Sequence, residues 1–409
     1  MVAFHFPPCA GTSGVHRTLK FARYLPECGW APVVLTAHPS AHHTVAAGRV
    51  DLPAGLVVAR ARALDAARHL AIAGRYPRFS ALPDRWATWW LGAVPTGLRL
   101  IRRFKPAALW STYPIATAHL IALTLHRLTG IPWVADFRDP MTEDGYPSNR
   151  TLWRTLRWVE RQTIGHADRI VFTAPSARTL YQERYPRTSA DTLVTIPNGY
   201  DEEDFVGLSP THRLPEGRAR PLRLVHAGVI YRDERDPRSF FTALAQLKRA
   251  GAIDRHALRV DLRATSADAH FAAILRQLDI DDIVHLLSPL PHRRALEDCA
   301  DADALLLFQG ASCNRQIPAK AYEYLRLARP ILALTHEAGD TADLLRRTGG
   351  ATIVSADDPV AIRSRLLNFL AAVRLGSHPP GDPDTVTQFM RRRQTAVLAR
   401  CLADVVQRA

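Results

Sequence analysis

TLVTIPNGYDEEDF (residues 192–205) closes one series of β-strands, and PLRLVHAG (residues 221–228) opens another. Upstream, short strand-forming runs fall at residues 2–6, 32–36, 107–110, 133–136, 169–172 and 192–196. Amphipathic stretches at 15–28, 116–128 and 152–166 lie between them. Alternation of strand and helix through short polar connections predicts a parallel, doubly wound sheet. After Asn198-Gly199-Tyr200, a loop rich in Pro, Gly and Arg runs to Arg220, and the pattern restarts. Further strands are expected at 222–226, 258–263, 283–286, 304–308, 331–334 and 351–354. The reading is α/β: two Rossmann-like domains, 1–205 and 221–380, followed by a helical stretch at 385–409. In open α/β sheets ligands sit beyond the carboxyl ends of the strands. Two such sheets facing each other across a cleft would place a ligand between them.

Bulk properties fit this reading. The chain has 409 residues, about twice a typical domain. Apolar residues make up 47% and charged residues 22%, ordinary for a globular protein with real cores. No cationic stretch followed by an apolar run marks a signal peptide, and no apolar segment approaches the ~20 residues that span a bilayer. A cytoplasmic location is expected. The five cysteines are scattered and never in C-x-x-C spacing, which argues against a disulfide framework or a zinc site. The net charge of +14 comes almost entirely from arginine, the lysines being Lys20, Lys105, Lys248 and Lys320. A positive surface favours sugar diphosphates, lipid phosphates or an acidic bilayer. Nucleic acid is not expected, because no reader motif or aromatic platform accompanies the charge.

Two irregularities stand out. The first strand begins almost at Met1, so either it is short or the recorded start lies downstream of the true one. Residues 68–105 carry Arg68, Arg75, Arg78, Trp86, Trp89, Trp90, Arg99, Arg102 and Arg103. A basic, tryptophan-bearing amphipathic stretch can lie in the interface of an anionic membrane, on its inner face here. The plainer reading, a helix with its tryptophans in a core, is favoured because aromatics usually serve burial.

Four segments could carry chemistry. FPPCAGTSGVHR (6–17) joins the first strand to the first helix. Gly11 and Gly14 allow close approach of a ligand, and the helix start offers unpaired N–H groups to an anion. The same glycines also fit an ordinary turn. VADFRDP (134–140) ends a strand with Asp136, Arg138 and Asp139, polar groups where an α/β sheet puts its site. Asp136 as a cap and Asp139-Pro140 as a turn is the alternative. HAGVIYRDERDP (226–237) ends a strand at Gly228 and adds Arg232 and Arg235 before a helix near Pro237. Arginine forks match phosphate oxygens, though Asp233, Glu234 and Asp236 also permit simple ion pairs. QIPAKAYEYLRLARPILAL (316–334) is the most specific. Pro318 suits the first turn of a helix. Lys320 then lies beside the positive helix end, and Glu323 follows on the same face, placed to accept from ribose hydroxyls. An isolated Lys–Glu surface pair is the bland reading.

Together these segments resemble bacterial GT-B glycosyltransferases of family four and its near relatives. The resemblance runs through FPPCAGTSGVHR, ADFRDP, IPNGYDEEDF (196–205), the HAG-x-IY segment and IPAKAYEYL followed by RPILAL. It also covers the C-terminal stretch 385–407, like the family's terminal helix, which crosses back to the first domain. It implies transfer of a sugar from a nucleotide-diphosphate donor to a glycan, lipid-linked or small-molecule acceptor, with retention at the anomeric carbon. Cell-envelope or exopolysaccharide synthesis is the implied setting. Carried over, Gly14 would approach the donor phosphates or the acceptor, with Gly11 beside it on the donor; Arg235, with Arg232 as second candidate, and Lys320 would neutralise the diphosphate; and Glu323 would hold the ribose. Asp136, Arg138 and Asp139 would face the acceptor, with Asp136 as a candidate general base. The earlier of the family's two spaced glutamates falls at Arg315 in this chain.

In this scheme fixed cations stabilise the charge developing on the leaving diphosphate, and neither a metal nor a cofactor is expected. A sugar-nucleotide epimerase or hydrolase of the same fold is one alternative reading. A catalytically silent partner subunit of a polysaccharide assembly complex is another.

Overall fold

The computed structural model describes residues 1–9, 13–45, 51–73, 75–208, 220–231 and 234–408. Its contacts divide the chain into two compact units, one of Met1–Pro197 with Arg391–Ala409, the other of Asn198–Met390. These limits differ from the expected 205, 221, 380 and 385. Residues 198–205 go with the second unit because Glu202 takes the Arg326 guanidinium, Nε to Oε2 2.8 Å, and Tyr200 meets Phe205 edge-on with centroids 5.7 Å apart. Residues 381–390 go there because Phe389 packs on Tyr322 with ring centroids 5.0 Å apart.

The first unit contains β1 (Val33–Ala37), β2 (Val57–Ala61), β3 (Leu109–Thr112), β4 (Trp133–Arg138), β5 (Arg169–Phe172) and β6 (Leu193–Thr195). All pairings are parallel. The expected first strand is only a bridge at Val2, which pairs with both Leu35 of β1 and Ser111 of β3. Val2 N donates to Trp110 O at 2.7 Å and Ala3 N to Leu35 O at 3.1 Å. The order is thus β2–β1–Val2–β3–β4–β5–β6. β2 was not expected from the sequence, because residues 57–61 are only half-buried at the sheet edge and lack a strong apolar run. β4 is buried along its whole length, as a strand covered on both faces must be.

Helix Arg391–Arg408 belongs to this unit, with Leu398, Leu402 and Val405 buried against Phe21, Trp110 and Val134. Each such side chain contributes roughly 1.5–3 kcal/mol on leaving water. Helix Arg150–Ile164 starts where Asn149 Oδ1 accepts from Leu152 N at 3.0 Å, a cap worth about 1 kcal/mol. The tryptophans of the basic stretch divide: Trp89 is fully buried, whereas Trp90 is 37% exposed, its indole N–H donating to Thr124 Oγ1 at 3.0 Å. No helix among the described residues is long and apolar enough to cross a membrane.

The second unit contains β7 (Leu222–Ala227), β8 (Leu258–Arg263), β9 (Val284–Leu287), β10 (Ala304–Gln309), β11 (Ile331–Thr335) and β12 (Ala351–Val354). They form one parallel sheet in the order β12–β11–β10–β7–β8–β9. The strand order reverses between β7 and β10, which pair only at Leu224–Ala304 and Val225–Leu305. Beyond those pairs the strands part at their carboxyl ends, the crevice in which such sheets bind ligands. The core is built from Leu224, Phe240, Phe241, Leu244, Leu306 and Phe308, among others. Helix Pro359–Arg374 is capped by Asp358, which accepts from Val360 N and Ala361 N.

Candidate active site

At the switch point of the second unit, β7 ends in His226 and Ala227, and β10 ends in Gln309. Helix Ala319–Leu327 starts opposite, with Pro318 as its N-cap and Lys320 in its first turn. Lys320 Nζ lies 3.0 Å from His226 Nε2. The other ring nitrogen, Nδ1, is 2.8 Å from Leu306 O. A backbone carbonyl can only accept, so Nδ1 carries the proton and Nε2 accepts from the lysine. Burial, followed by the charge of Lys320, drives His226 well below its ordinary range and keeps it neutral. Lys320 is itself lowered to about 7 by burial and by the nearby Arg235 guanidinium, with Glu323 opposing.

Arg235 is held in place. Its Nε donates to Gln309 Oε1 at 3.1 Å, and its guanidinium covers the Tyr231 ring at 5.3 Å. Gln309 in turn donates through Nε2 to Cys313 O and Gln316 O, tying the turn that leads into Pro318 to the same arginine. Gly310 N donates to Glu234 O at 2.8 Å, and a Cβ at Gly310 would stand 2.5 Å from that oxygen, so the two loops touch only because residue 310 has no side chain. A cavity of about 180 Å³ opens here, lined by Arg235, Gln309, Gly310, Ser312 and Asp357. Gly228 has φ +121°, and a Cβ there would meet Lys320 Nζ at 2.8 Å. Glu323 is one turn further along the helix, its Oε1 3.0 Å from His292 Nε2. Two cations and a helix N-terminus thus converge on one crevice, an arrangement that suits a diphosphate.

The first unit treats its predicted residues differently. Asp136 does not face a substrate. It is fully buried; its Oδ2 and Oδ1 each accept from Arg17 at 2.9 Å, and Thr112 Oγ1 donates to Oδ2 at 3.0 Å. Arg17 also donates to Ile196 O and Pro197 O, both at 3.1 Å. Both carboxylate oxygens are committed to an enclosed strut joining helix Ser13–Tyr24, β4 and the end of the unit, so the expected base and acceptor contact at Asp136 is corrected. Arg138 sits at φ +61° with 8% exposure, donating through Nη1 to Tyr113 O at 3.2 Å. Asp139 accepts from Thr173 Oγ1 at 3.3 Å, and burial pushes its carboxyl up against the pull of Arg138. Gly14 is buried in the first turn of helix Ser13–Tyr24, and Thr18 Oγ1 donates to its carbonyl. Gly11 and Arg232 lie outside the described residues. A separate cavity of about 410 Å³ lies at the amino ends of β1 and β3, lined by Trp30, Val33, Leu100, Phe104 and Leu398. Its apolar wall and its position at the wrong sheet edge set it apart from the site.

Residues 13–199 match the glycosyl transferase 4-like domain family. Among solved structures, the chain is similar to WaaG, a glycosyltransferase involved in lipopolysaccharide biosynthesis, with 14% identity, 100% of each chain covered and a TM-score of 0.64. It is similar to sucrose-phosphate synthase from Thermosynechococcus elongatus at 12% identity, covering 100% of this chain and 96% of that one, TM-score 0.65. It is also similar to Anabaena HepE solved with UDP and glucose, at 12% identity, 100% and 97% coverage, TM-score 0.57. The chain has the GT-B fold. No curated protein matches it in sequence.

In this GT-B fold, the sequence pattern singles out Lys320, Glu323 and Arg235 but passes over His226, Gln309 and Arg17. His226 reads simply as the end of an apolar strand, yet the Gly228 two residues later, at a strand terminus, marks a close approach. Gln309 offers no local signal. Among the described residues, no three His, Cys, Asp or Glu side chains gather as a metal-binding group.

Proposed function

We propose that this chain transfers a sugar from a nucleotide-diphosphate sugar to a glycan, lipid-linked or small-molecule acceptor, with retention of anomeric configuration. Cell-envelope or exopolysaccharide synthesis is its setting in this reading. The observation that carries it is the Lys320–His226 contact beside Gly228 and Arg235 at the switch point of the second unit. The solved relative HepE holds UDP and glucose, which supports a donor of that chemistry.

In this reading Lys320 and Arg235 meet the charge that develops on the diphosphate as the sugar–phosphate bond breaks. Glu323 exchanges its His292 contact for the ribose hydroxyls. Loss of one such charge-stabilising group costs roughly 3 kcal/mol of transition-state stabilisation, about two orders of magnitude in rate. A thermal-shift panel of nucleotide sugars followed by transfer assays tests this. Lys320→Ala and Glu323→Ala should each cripple transfer while the protein stays folded, and undiminished transfer by both would remove the assignment.

Peripheral contact with an anionic membrane belongs to the same proposal. Ile72 is 84% exposed, Phe79 78% and Leu91 67%, and Arg75, Arg78, Arg102 and Arg103 are exposed nearby in sequence. Co-sedimentation with phosphatidylglycerol vesicles, lost in an Ile72→Ser/Phe79→Ser variant, is the expected result; equal sedimentation of both proteins would refute it.

A further inference from the structure

The first unit encloses cationic and imidazole side chains that the Lys320–Arg235 crevice of the second unit does not include. Three enclosed nitrogens stand without a hydrogen-bond partner among the described residues: Arg138 Nε, Arg60 Nη1 and His42 Nε2. Arg138 and His42 are 8% and 6% exposed. They come from different elements. Arg60 is near the end of β2, His42 follows the end of β1, and Arg138 closes β4. All three lie toward the carboxyl edge of the parallel sheet, flanking the point where its order reverses around Val2. Enclosed polar nitrogens normally find partners, and each one left alone costs about 1–3 kcal/mol. Two guanidinium donors and an imidazole nitrogen without partners, at the edge where such sheets bind ligands, point to a partner from outside the chain.

The surroundings hold these groups in place. Arg60 Nη2 donates to Pro7 O at 2.7 Å, and Arg138 Nη1 to Tyr113 O at 3.2 Å. The His42 ring stands edge-on to Phe4, centroids 4.9 Å apart, and Phe4 contacts the His5 ring at 5.4 Å. Arg138 keeps a left-handed backbone, φ +61°, which costs a non-glycine residue on the order of 1–3 kcal/mol. The four side chains feel one another. Burial, then Arg138 and His42, lowers His5 to about 3. Burial, then Arg60, lowers His42 to about 4. Both imidazoles are therefore neutral near pH 7, and the charge of the site is that of its two guanidinium groups. Carboxylates close by are engaged: Asp136 by Arg17, Asp65 by Arg85 and His43, Asp84 by Thr117 and the Trp86 N–H. Asp139, followed by Asp136 and Tyr113, offsets the charge of Arg138, and burial pushes the Asp139 carboxyl up.

We propose that Arg60 and Arg138, framed by His5 and His42, bind an anionic group of the acceptor, a phosphate or a carboxylate. Arginine is suited to either, since its fork matches two oxygens at once. The assignment of this anion to the acceptor rests on the transferase reading above, in which Lys320 and Arg235 already serve the donor.

The test uses the full chain with Lys320→Ala and Arg235→Ala in place, so that the second unit's cations do not compete. Isothermal titration with inorganic phosphate and with acetate separates the two sources of negative charge. Tighter phosphate binding identifies a phosphorylated acceptor, and tighter acetate binding a carboxylated one. Adding Arg60→Gln should weaken the preferred anion at least tenfold, with unchanged tryptophan fluorescence showing that the first unit stays folded. Equal binding with and without Arg60→Gln, or no binding of either anion, overturns the proposal. The donor reading is checked apart from this, by titrating UDP into the wild-type chain. Failure there with retained anion binding would leave the site standing and remove only its assignment to an acceptor.

Discussion

Replacing Asp136 by Asn separates a buried strut from a catalytic base. Arg17 is 1% exposed and Asp136 0%, joined through two N–H···O contacts of 2.9 Å. The amide keeps the shape but removes the negative charge, and it turns one acceptor into a donor facing the guanidinium. An enclosed arginine is then left without its counter-charge, which costs about 3–5 kcal/mol. Against a typical total of roughly 5–15 kcal/mol for a folded domain, that is a large share of the first unit's stability. For a unit of this size it corresponds to a loss of roughly 6–20 °C in Tm.

The assay is built into the sequence. All eight tryptophans, Trp30, Trp86, Trp89, Trp90, Trp110, Trp133, Trp153 and Trp158, lie in the first unit, so their fluorescence in urea follows its unfolding alone. Removing both partners, as in Arg17→Met/Asp136→Leu, should recover part of the loss, because a buried pair replaced by apolar groups of similar volume is often near neutral. A catalytic base predicts something else: Asp136→Asn unfolding at the wild-type urea midpoint while transfer falls by orders of magnitude. That outcome would refute the strut and restore the acceptor-side reading.

Other perturbations probe different parts of the molecule. Lys320 titrates near 7 without ligand and is charged when it meets a diphosphate. UDP affinity should therefore be highest below pH 7 and fall as pH rises through 7, by at most about tenfold per pH unit. Lys320→Arg should flatten that slope, and identical pH profiles for the two proteins would sink the argument. Gly228→Ala puts a Cβ 2.8 Å from Lys320 Nζ at φ +121° and should weaken UDP about tenfold or more by titration calorimetry, through displacement of the lysine. Gly199→Ala drives a Cβ to within 1.9 Å of Phe389 O; a backbone oxygen cannot step aside, so a loss of roughly 1–3 kcal/mol in thermal unfolding is expected. Glu160→Gln removes the buried carboxylate that accepts from Tyr181 and Tyr185 hydroxyls at 2.6 Å and from Arg184 at 3.0 Å. It should cost about 2 kcal/mol in tryptophan-monitored urea unfolding, and a shift under 0.5 kcal/mol would show the network to be dispensable.

Strand–helix alternation made the α/β class readable, because each buried parallel strand is a compact apolar run such as ALLLF at 304–308. β2 escaped because an edge strand, only half-buried, needs no such run. The same division holds in the site. The helical placement of Lys320 and Glu323 was legible because a proline, a cation and an acid at helical spacing state their geometry locally. Asp136 was misread because its partner is Arg17, 119 residues away in sequence. Three charged residues after a strand look alike whether they face a ligand or are enclosed by another element. Arg60 and His42 carried no signal at all, since their meaning lies in unmet hydrogen bonds that exist only once the strands are side by side.

The choice of lysine at position 320 has a physical consequence in this chain. Lysine is rare here, four residues against an arginine-dominated total of 53 basic side chains. An arginine in the same crevice would stay charged at any ordinary pH and would repel Arg235 permanently. A lysine can release its proton when burial and Arg235 make the charge costly, and His226 Nε2 accepts from the amine in either state. Arrival of a diphosphate reverses the balance, since two negative charges favour the ammonium form. The charge of this helix end is then conditional on its ligand: partial near pH 7 when the crevice is empty, full when a diphosphate is bound. Lys320→Arg should accordingly hold UDP at high pH where wild type does not, yet stand closer to Arg235 at the cost of a lower melting temperature without ligand.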